Sequence, residues 1–534
     1  MKKLINIFLG LILMTSFTAC EPEFESPLGE GDYSSGNADF SNYVAVGNSL
    51  TAGYTNGTLY KSGQENSFAA ILAGQMKLAG GGEFTQPYMD DDTDDIGGMV
   101  FSNTMILPPK LVINAASGGP ERINKTPSVD LMNIHPGPYN NMGVPGAKIF
   151  HLVSNGYGDV ANILIQKANP FYVRMASAPN ASVIQDAVAQ NPSFFTLWIG
   201  ANDVLAYATG GGTGVDQDEA GNLDPTTYGF EDITNANVFG AIYTQLVDAL
   251  TANGAKGVLA TIPDVSSVPF FTTIPYNPLN PETNATYAAM IPELNTNFGL
   301  LNQAFIALGH PERTVIFDEN NPSPLLIKDE ALDDISAQLN AALQAGGLDA
   351  TTAAVFSAQY GQCRQANAND LIVLTAKSVI GQINQAHMQQ LVNMGVPQTD
   401  AAKLSVEGIT YPMEDKWVLT EDEITHTRNA TAKYNLIIKG IAQNKDLALA
   451  DMAAVMQEMS QGLVIEDGSI YTADYFNGSN LDNLSFGLDG VHPTPRGYAI
   501  IANKFIDAIE EKYEAKLPKV IPANYPTFDI LTSN

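Results

Sequence analysis

Short apolar runs alternate along this chain with segments in which apolar residues recur at helical spacing. Uninterrupted runs rich in β-branched and aromatic residues predict buried β-strands. Such runs occur at Tyr43–Val46, Phe194–Ile199, Gly257–Ile262, Thr314–Phe317 and Leu447–Ala450. In segment 497–513 the apolar residues fall on one face, which predicts an amphipathic helix. The sequence Thr420-Glu421-Asp422-Glu423 is a capping-box signature and predicts the start of another helix.

Alternating strands and helices predict an α/β fold with a parallel sheet covered on both faces. We expect a single domain over 41–520, with insertions near 80–135, 207–235 and 320–410 and a C-terminal tail over 521–534. The last insertion includes a predicted helix with Leu332, Ile335, Leu339 and Leu343 in register.

The N-terminus has the pattern of a secretory signal. Lys2 and Lys3 precede a mostly apolar stretch that is too short to span a bilayer comfortably. The small residues before Cys20 resemble a bacterial lipobox, which predicts a lipoprotein signal peptide over 1–19 and lipidation of Cys20. Residues 20–40, rich in Glu, Ser, Gly and Pro, would then form a lipidated flexible tether. The alternative is a plain signal peptide in which Cys20 is incidental.

The charge balance and the cysteine content argue against two classes of ligand, nucleic acids and thiolate-bound metal clusters. The chain of 534 residues carries 57 acidic and 26 basic residues, a net charge of −31, which argues against a nucleic-acid partner. Cys363 is the only other cysteine, so no thiolate metal cluster is expected. The acidic stretch 90–95 resembles a Ca²⁺ loop faintly, but Asp95 occupies the position that requires glycine, which favours a solvated loop. We expect no metal site.

Ser49 follows the first predicted strand in the stretch "VGNSLTAGY". The carboxyl ends of strands are where the functional residues of open α/β sheets gather. A serine in a Gly/Asn turn is also a common turn former, so this stretch alone leaves both interpretations open.

A nucleophilic serine needs a base, and the base needs a group that orients it. Among the six histidines, His492 has the most suggestive context, because Asp489 precedes it by three residues in "LDGVHPTPRGY". Acyl transfer also needs donors for an oxyanion. Asn202 follows a strongly apolar strand in "TLWIGAND", and Gly146 in "NMGVPGA" lets a backbone N–H approach a substrate closely.

Together these four stretches resemble, in order, the blocks of the SGNH hydrolase superfamily, the GDSL esterases and lipases. The resemblance implies that Ser49 is the nucleophile, His492 the general base and Asp489 the orienting acid. It implies an oxyanion hole formed by the N–H groups of Ser49 and Gly146 and the side chain of Asn202. It also implies a flavodoxin-like three-layer sandwich with a central parallel sheet. The stretches "GVHPTPRGYAIIANKFIDAI" and "ATIPDVSSVPFF" resemble the lipoprotein branch of this family common in Bacteroidetes.

Two positions depart from the family pattern or compete with it. The name-giving aspartate is Asn48 in this chain, and about 285 residues separate Asn202 from Asp489, far more than a compact member needs. Gly119 in "NAASGG" has the same offset from an asparagine as Gly146 and is a rival for the second block.

The implied function is hydrolysis of carboxylic esters through an acyl-enzyme, without metal or organic cofactor. Lipid or short-chain acyl esters and acetyl groups on glycans both remain possible substrates. The lipobox-like N-terminus predicts a location in the cell envelope, as an outer-membrane lipoprotein that is either periplasmic or surface-exposed and is anchored through its N-terminal lipid. The alternatives are a surface glycan-binding lipoprotein that keeps the fold without catalysis, and a structural envelope protein.

Overall fold

The computed structural model describes residues 33–89, 94–466 and 468–531. A five-stranded, all-parallel sheet forms the centre of an α/β fold, in the order β2-β1-β3-β4-β5. Its strands are β1 Tyr43–Gly47, β2 Asn141–Gly143, β3 Phe194–Trp198, β4 Lys256–Ala260 and β5 Ala448–Ala450.

The strands are apolar on both sides because both faces of the sheet are covered. Every residue of β1 and β3 is buried, as expected for a parallel sheet between helical layers. Val44 and Val46 belong to the larger hydrophobic core on one face, whereas Tyr43 and Ala45 belong to a second core on the other.

The helices pack on these two faces and build much of the insertions. They are α1 Ser49–Ala52, α2 Lys61–Glu65, α3 Phe68–Leu78, α4 Pro170–Met175, α5 Val183–Val188, α6 Asn202–Thr209, α7 Ala236–Thr251, α8 Pro269–Thr272, α9 Ala285–Ala307, α10 Ser336–Ala345, α11 Ala350–Tyr360, α12 Gln385–Asn393, α13 Gln398–Lys403, α14 Glu421–Asn444, α15 Met452–Gln461 and α16 Pro495–Tyr513. The smaller core joins α3 and α16, while α7 and α14 contribute to the larger one.

Two predicted helices are confirmed. Helix α14 begins after Thr420, whose side chain forms a capping box with Glu423. Helix α16 covers the predicted 497–513 and starts two residues earlier, with Pro495 in its first turn, where a missing N–H costs nothing.

The prediction of a strand at Thr314–Phe317 is wrong, because the backbone of this run bonds to side-chain amides and not to another strand. Residues 314–317 are extended but unpaired by any strand. Asn302 on α9 accepts from the N–H of Val315 and donates to its carbonyl, at 2.8 Å each. Asn295, two turns earlier, does the same for Phe317. These amides satisfy the backbone of an apolar run outside any sheet, which no local pattern could indicate.

Short strand pairs occur in the insertions and near the end of the chain. They are Met99–Phe101 with Thr104–Leu107, Leu111–Asn114 with Gly119–Arg122 and Ile530–Leu531, Leu326–Lys328 with Cys363–Gln365, Leu371–Ile372 with Val418–Leu419, and Leu463–Val464 with Ile470–Tyr471. Helices α10 to α13 lie within the predicted insertion 320–410.

The ends of the described chain lie near opposite ends of α16. The N–H of Ser34 bonds to the carbonyl of Lys516, beyond the C-terminus of α16, and Phe40 is buried. This part of the predicted tether therefore packs on the domain. In the predicted C-terminal tail, Ile530–Leu531 pairs with Leu111–Asn114, and Pro526 accepts from the N–H of Arg496 at the start of α16.

The predicted signal peptide, the lipidation site Cys20 and most of the acidic stretch 90–95 lie outside the described residues. Within the described ranges, no helix is long and apolar enough to cross a membrane.

Three carboxyl groups meet near the start of α14. Oxygens of Glu330, Asp415 and Glu423 lie within 4.8 Å of one another. Burial raises the pKa of Asp415 to about 8 and that of Glu423 to about 7, and repulsion from Glu330 adds to both shifts. Lys328 pairs with Glu330 and offsets part of this repulsion.

Replacing Glu423 by glutamine is therefore expected to stabilise the protein at pH 8 and to change little at pH 5. Because its pKa is raised in the folded state, the contribution of Glu423 to stability is full below about pH 4.5 and is lost as the pH rises through about 7. Glutamine keeps an oxygen that can accept from the Thr420 N–H. We expect a gain of about 1 kcal/mol at pH 8, after discounting for solvent screening, measured by thermal unfolding across pH. Glu421→Gln, an exposed neighbour in the same turn, is the control. An equal gain in both variants would contradict the prediction.

Candidate active site

Ser49, His492 and Asp489 form one chain of hydrogen bonds at the carboxyl end of β1. The Oγ of Ser49 lies 2.9 Å from Nε2 of His492, and Nδ1 of the same imidazole lies 3.1 Å from Oδ2 of Asp489. Ser49 is 443 residues distant from His492 in the sequence and is 6% exposed. The structure therefore brings the three predicted residues together in the serine–histidine–carboxylate order that nucleophilic catalysis requires.

Both carboxylate oxygens of Asp489 are held by donors. Oδ1 accepts from the backbone N–H groups of Val491 and His492, and Oδ2 accepts from the N–H of Gly57 as well as from the imidazole. Burial alone would raise the pKa of this carboxyl, but His492 and the backbone donors outweigh it and hold the pKa below its ordinary value. Asp489 thus stays ionised, with a fixed orientation toward His492.

Gly57 is a residue of the site that sequence reasoning missed. It has φ +77°, a conformation that favours glycine, in a tight turn closed by the pairing of Thr55 with Thr58. The turn aims its N–H at Asp489. The dipeptide Asn56-Gly57 signals a turn in the sequence, but nothing local relates that turn to a residue 432 positions away.

Asn48 caps the helix that begins at Ser49. Its side-chain oxygen accepts from the N–H of Leu50 at 3.0 Å, and its side chain is buried beside Ser49. An aspartate could accept the same bond, so the departure from the family pattern leaves this cap in place.

We accordingly expect Asn48→Asp to keep the rate of the ester hydrolysis predicted from the sequence within about threefold, since the acceptor that fixes the start of α1 is retained. Asn48→Ala removes the acceptor and should cost about 1 kcal/mol of stability. Denaturant unfolding and steady-state kinetics on both variants measure these effects. Inactivation by Asn48→Asp would show that the amide nitrogen itself is required.

The proposed oxyanion donors lie at the same edge of the sheet. Asn202 opens α6 directly after β3, and its Nδ2 donates to the carbonyl of Ala147 at 2.9 Å. Gly146, in the turn after β2, is exposed and has φ +79°. Asn202 lines the cavity beside Ser49, whereas Gly146 is not among the described residues that line it. The rival Gly119 begins the strand Gly119–Arg122, which pairs with Leu111–Asn114 and not with the central sheet.

Asp203, next to Asn202, was also missed. It is fully buried and accepts from the N–H of Ile149 and from the hydroxyl of Thr234, which ties the segment after Gly146 to α6. Burial raises the pKa of Asp203 to about 6, although these donors oppose the shift. In the sequence "GAND" nothing indicates what the aspartate bonds to, because Ile149 and Thr234 are distant in the chain.

An apolar cavity opens beside Ser49 and His492. Its walls include Trp198 at the end of β3, Leu205 on α6, and side chains of α15 and of the segment after β4. The ring of Tyr54 also contacts His492, with 4.6 Å between the centroids of the two rings. The other aromatic residues near the motifs, Tyr60 and Tyr207, are buried in packing roles.

Two groups of metal-ligand types occur among the described residues, and neither includes a triad residue. One is the carboxyl cluster at α14, and the other comprises Asp216, Glu219 and His426. In the second group, Nδ1 of His426 lies 3.3 Å from Asp216 and 3.5 Å from Glu219, so the side chains already pair with one another.

Comparisons of the chain with models of protein families, with curated proteins and with solved structures found no match.

Proposed function

We propose that this protein is a serine hydrolase of the SGNH type that cleaves carboxylic esters through an acyl-enzyme. The observation that carries the proposal is the Ser49–His492–Asp489 hydrogen-bond chain. The strand order supports it, because β2-β1-β3-β4-β5 is the flavodoxin-like order, in which ligands bind at the switch point between β1 and β3. Ser49 follows β1 and Asn202 follows β3, so both flank that point.

In this mechanism, Oγ of Ser49 gives its proton to Nε2 of His492 and attacks the ester carbonyl. The carbonyl oxygen becomes an oxyanion, which Asn202 and the N–H groups of Ser49 and Gly146 would hold. The ester C–O bond then breaks, and His492 returns the proton to the leaving alcohol. Water, deprotonated by His492, attacks the acyl-Ser49, and the carboxylic acid leaves as the serine regains its proton. Asp489 keeps Nδ1 of the imidazole protonated throughout.

The non-catalytic glycan-binding alternative has less support. A binding protein has no need for a serine hydroxyl aimed at an oriented imidazole. The walls beside Ser49 are mainly apolar, whereas sugar hydroxyls need hydrogen-bond partners when they are buried.

We also propose that the chain is anchored in the cell envelope by lipid on Cys20, because of the lipobox-like sequence before it. Metabolic labelling with a fatty acid should mark the full-length protein and fail with Cys20→Ser. Labelling of both forms equally would contradict the anchor.

The test of the catalytic function uses purified residues 21–534. We expect hydrolysis of p-nitrophenyl esters, and we expect a fluorophosphonate probe to label one serine, located by mass spectrometry at Ser49. Acetylated glycans are assayed in parallel to compare the two substrate classes. Labelling at another serine, or hydrolysis that persists after Ser49 is fully labelled, would contradict the proposed site.

A further inference from the structure

Helix α15 forms a methionine-rich wall next to the proposed nucleophile. Met452, Val455, Met456 and Met459 all line the cavity that Ser49 and His492 also line. Their spacing places them on one face of the helix. The three methionines are 3–6% exposed, so this face is turned into the protein, while Gln457 on the opposite face is exposed.

Few of the residues that line this cavity have polar side chains, and all the others, among them Leu205 and Ile501, are apolar apart from one glycine. The polar ones are Asn48, Ser49, Asn202, Ser485 and His492. No lysine or arginine is among its described lining residues, so it offers no cation to a carboxylate or phosphate group.

We propose that this cavity binds the acyl chain of the ester, which makes esters of linear aliphatic acids, rather than acetylated glycans, the preferred substrates. The inference rests on the proposed function, since it concerns the bond that Ser49 attacks. Each buried methylene is expected to raise kcat/KM by about fourfold until the cavity is filled. Methionine side chains are flexible and polarizable, so they can follow an unbranched chain of variable length.

The acyl chain is a better occupant than the alcohol because it stays on the enzyme longer. The alcohol departs in the first step, whereas the acyl group remains bonded to Ser49 until water has attacked. A cavity of buried side chains suits the group that is held through both steps. The alcohol needs a route to solvent.

The first experiment measures kcat/KM for p-nitrophenyl esters with linear acyl chains from acetate to dodecanoate. We expect a rise of about fourfold per methylene over the shorter chains, followed by a plateau or fall. Acetate esters of increasingly long alcohols should change much less. An acyl profile that is flat, or a dependence on the alcohol alone, would overturn the inference while leaving the proposed function intact.

Substitutions on α15 locate the effect. Met456→Trp should fill the cavity and lower kcat/KM for decanoate esters at least tenfold while sparing acetate esters. Met456→Ala should shift the acyl chain length with the highest kcat/KM to longer chains. This variant still tests the inference if Met456→Trp does not fold. Gln457→Trp, on the exposed face of the same helix, is the matched control. Equal chain-length profiles in all three variants would overturn the assignment.

A binding measurement separates this inference from the catalytic proposal. Ser49→Ala protein is titrated with decanoate by calorimetry, with and without Met456→Trp. We expect binding that weakens at least tenfold in the double variant. If the wild type hydrolyses no ester but decanoate binds in this way, the proposed function fails and the cavity assignment stands. If decanoate does not bind, the cavity assignment fails regardless of activity.

Discussion

Replacing Ser49 by alanine is expected to lower kcat for ester hydrolysis by about 10⁴-fold or more and to leave the fold unchanged. In the proposed mechanism the Ser49 oxygen forms the covalent bond to the acyl group, so its removal leaves His492 and the proposed oxyanion donors with no attacking group to assist. The Ser49 hydroxyl bonds to His492, and both residues line the cavity. Alanine keeps the Cβ of the buried side chain, so the surrounding packing is expected to stay the same. The measurements are kcat on p-nitrophenyl esters and the midpoint of thermal unfolding.

Ser193→Ala provides the matched control for this prediction. Ser193 precedes β3, at the opposite edge of the sheet, and its hydroxyl accepts from the N–H of Asn42. Its loss should reduce stability slightly and leave kcat unchanged. Retention of more than about a tenth of the activity in Ser49→Ala would refute the acyl-enzyme mechanism, since catalysis without the nucleophile is only residual.

Asp489→Asn is expected to lower kcat by about 10³- to 10⁴-fold, comparable to the same substitution in serine protease triads. Among the described residues, this carboxylate accepts hydrogen bonds from three backbone N–H groups and from the imidazole Nδ1–H. An amide has only one oxygen, so its NH₂ group must face donors in either orientation. If it faces His492, the imidazole adopts the wrong tautomer, and the Oγ proton of Ser49 has no acceptor.

The kinetic signature distinguishes this effect from unfolding. KM should change little, because Asp489 is not expected to contact the ester, while thermal stability falls moderately. Labelling of Ser49 by a fluorophosphonate should slow in parallel with kcat. A variant that unfolds less cooperatively but turns over normally would show that Asp489 is structural rather than an orienting acid.

The sequence predicted those parts of the fold that depend on local patterns. Apolar runs became β1, β3, β4 and β5, and the capping box at Thr420 opened α14 as expected. The run Thr314–Phe317 has the same local pattern but pairs with side-chain amides of α9. Whether an apolar run forms a strand depends on a pairing strand elsewhere in the chain, and the residues of the run do not indicate whether that strand is present.

Site residues could be proposed only where a motif joined distant parts of the chain. Ser49, Asn202, Asp489 and His492 lie in short stretches whose order was informative. Gly57 could not be found because its role depends on one backbone N–H that points at a distant carboxylate. The sequence also could not predict that the methionines of α15 line the cavity, because a methionine stripe at helical spacing is the usual pattern of a helix packed in the core.

Helix α16 separates the candidate active site from the point where the N-terminal segment joins the domain. Its first turn follows His492, and its last residue, Tyr513, bonds through its hydroxyl to Gly257 and Ala448 at the amino ends of β4 and β5. The helix has 19 residues, so these points are about 28 Å apart. The chain joins the domain near Tyr513, with the N–H of Asn37 bonded to that residue. If the protein is immobilised on a solid support through residues before 33, the attachment lies near the amino ends of the strands. The Ser49–His492–Asp489 triad, at their carboxyl ends, then faces the solvent.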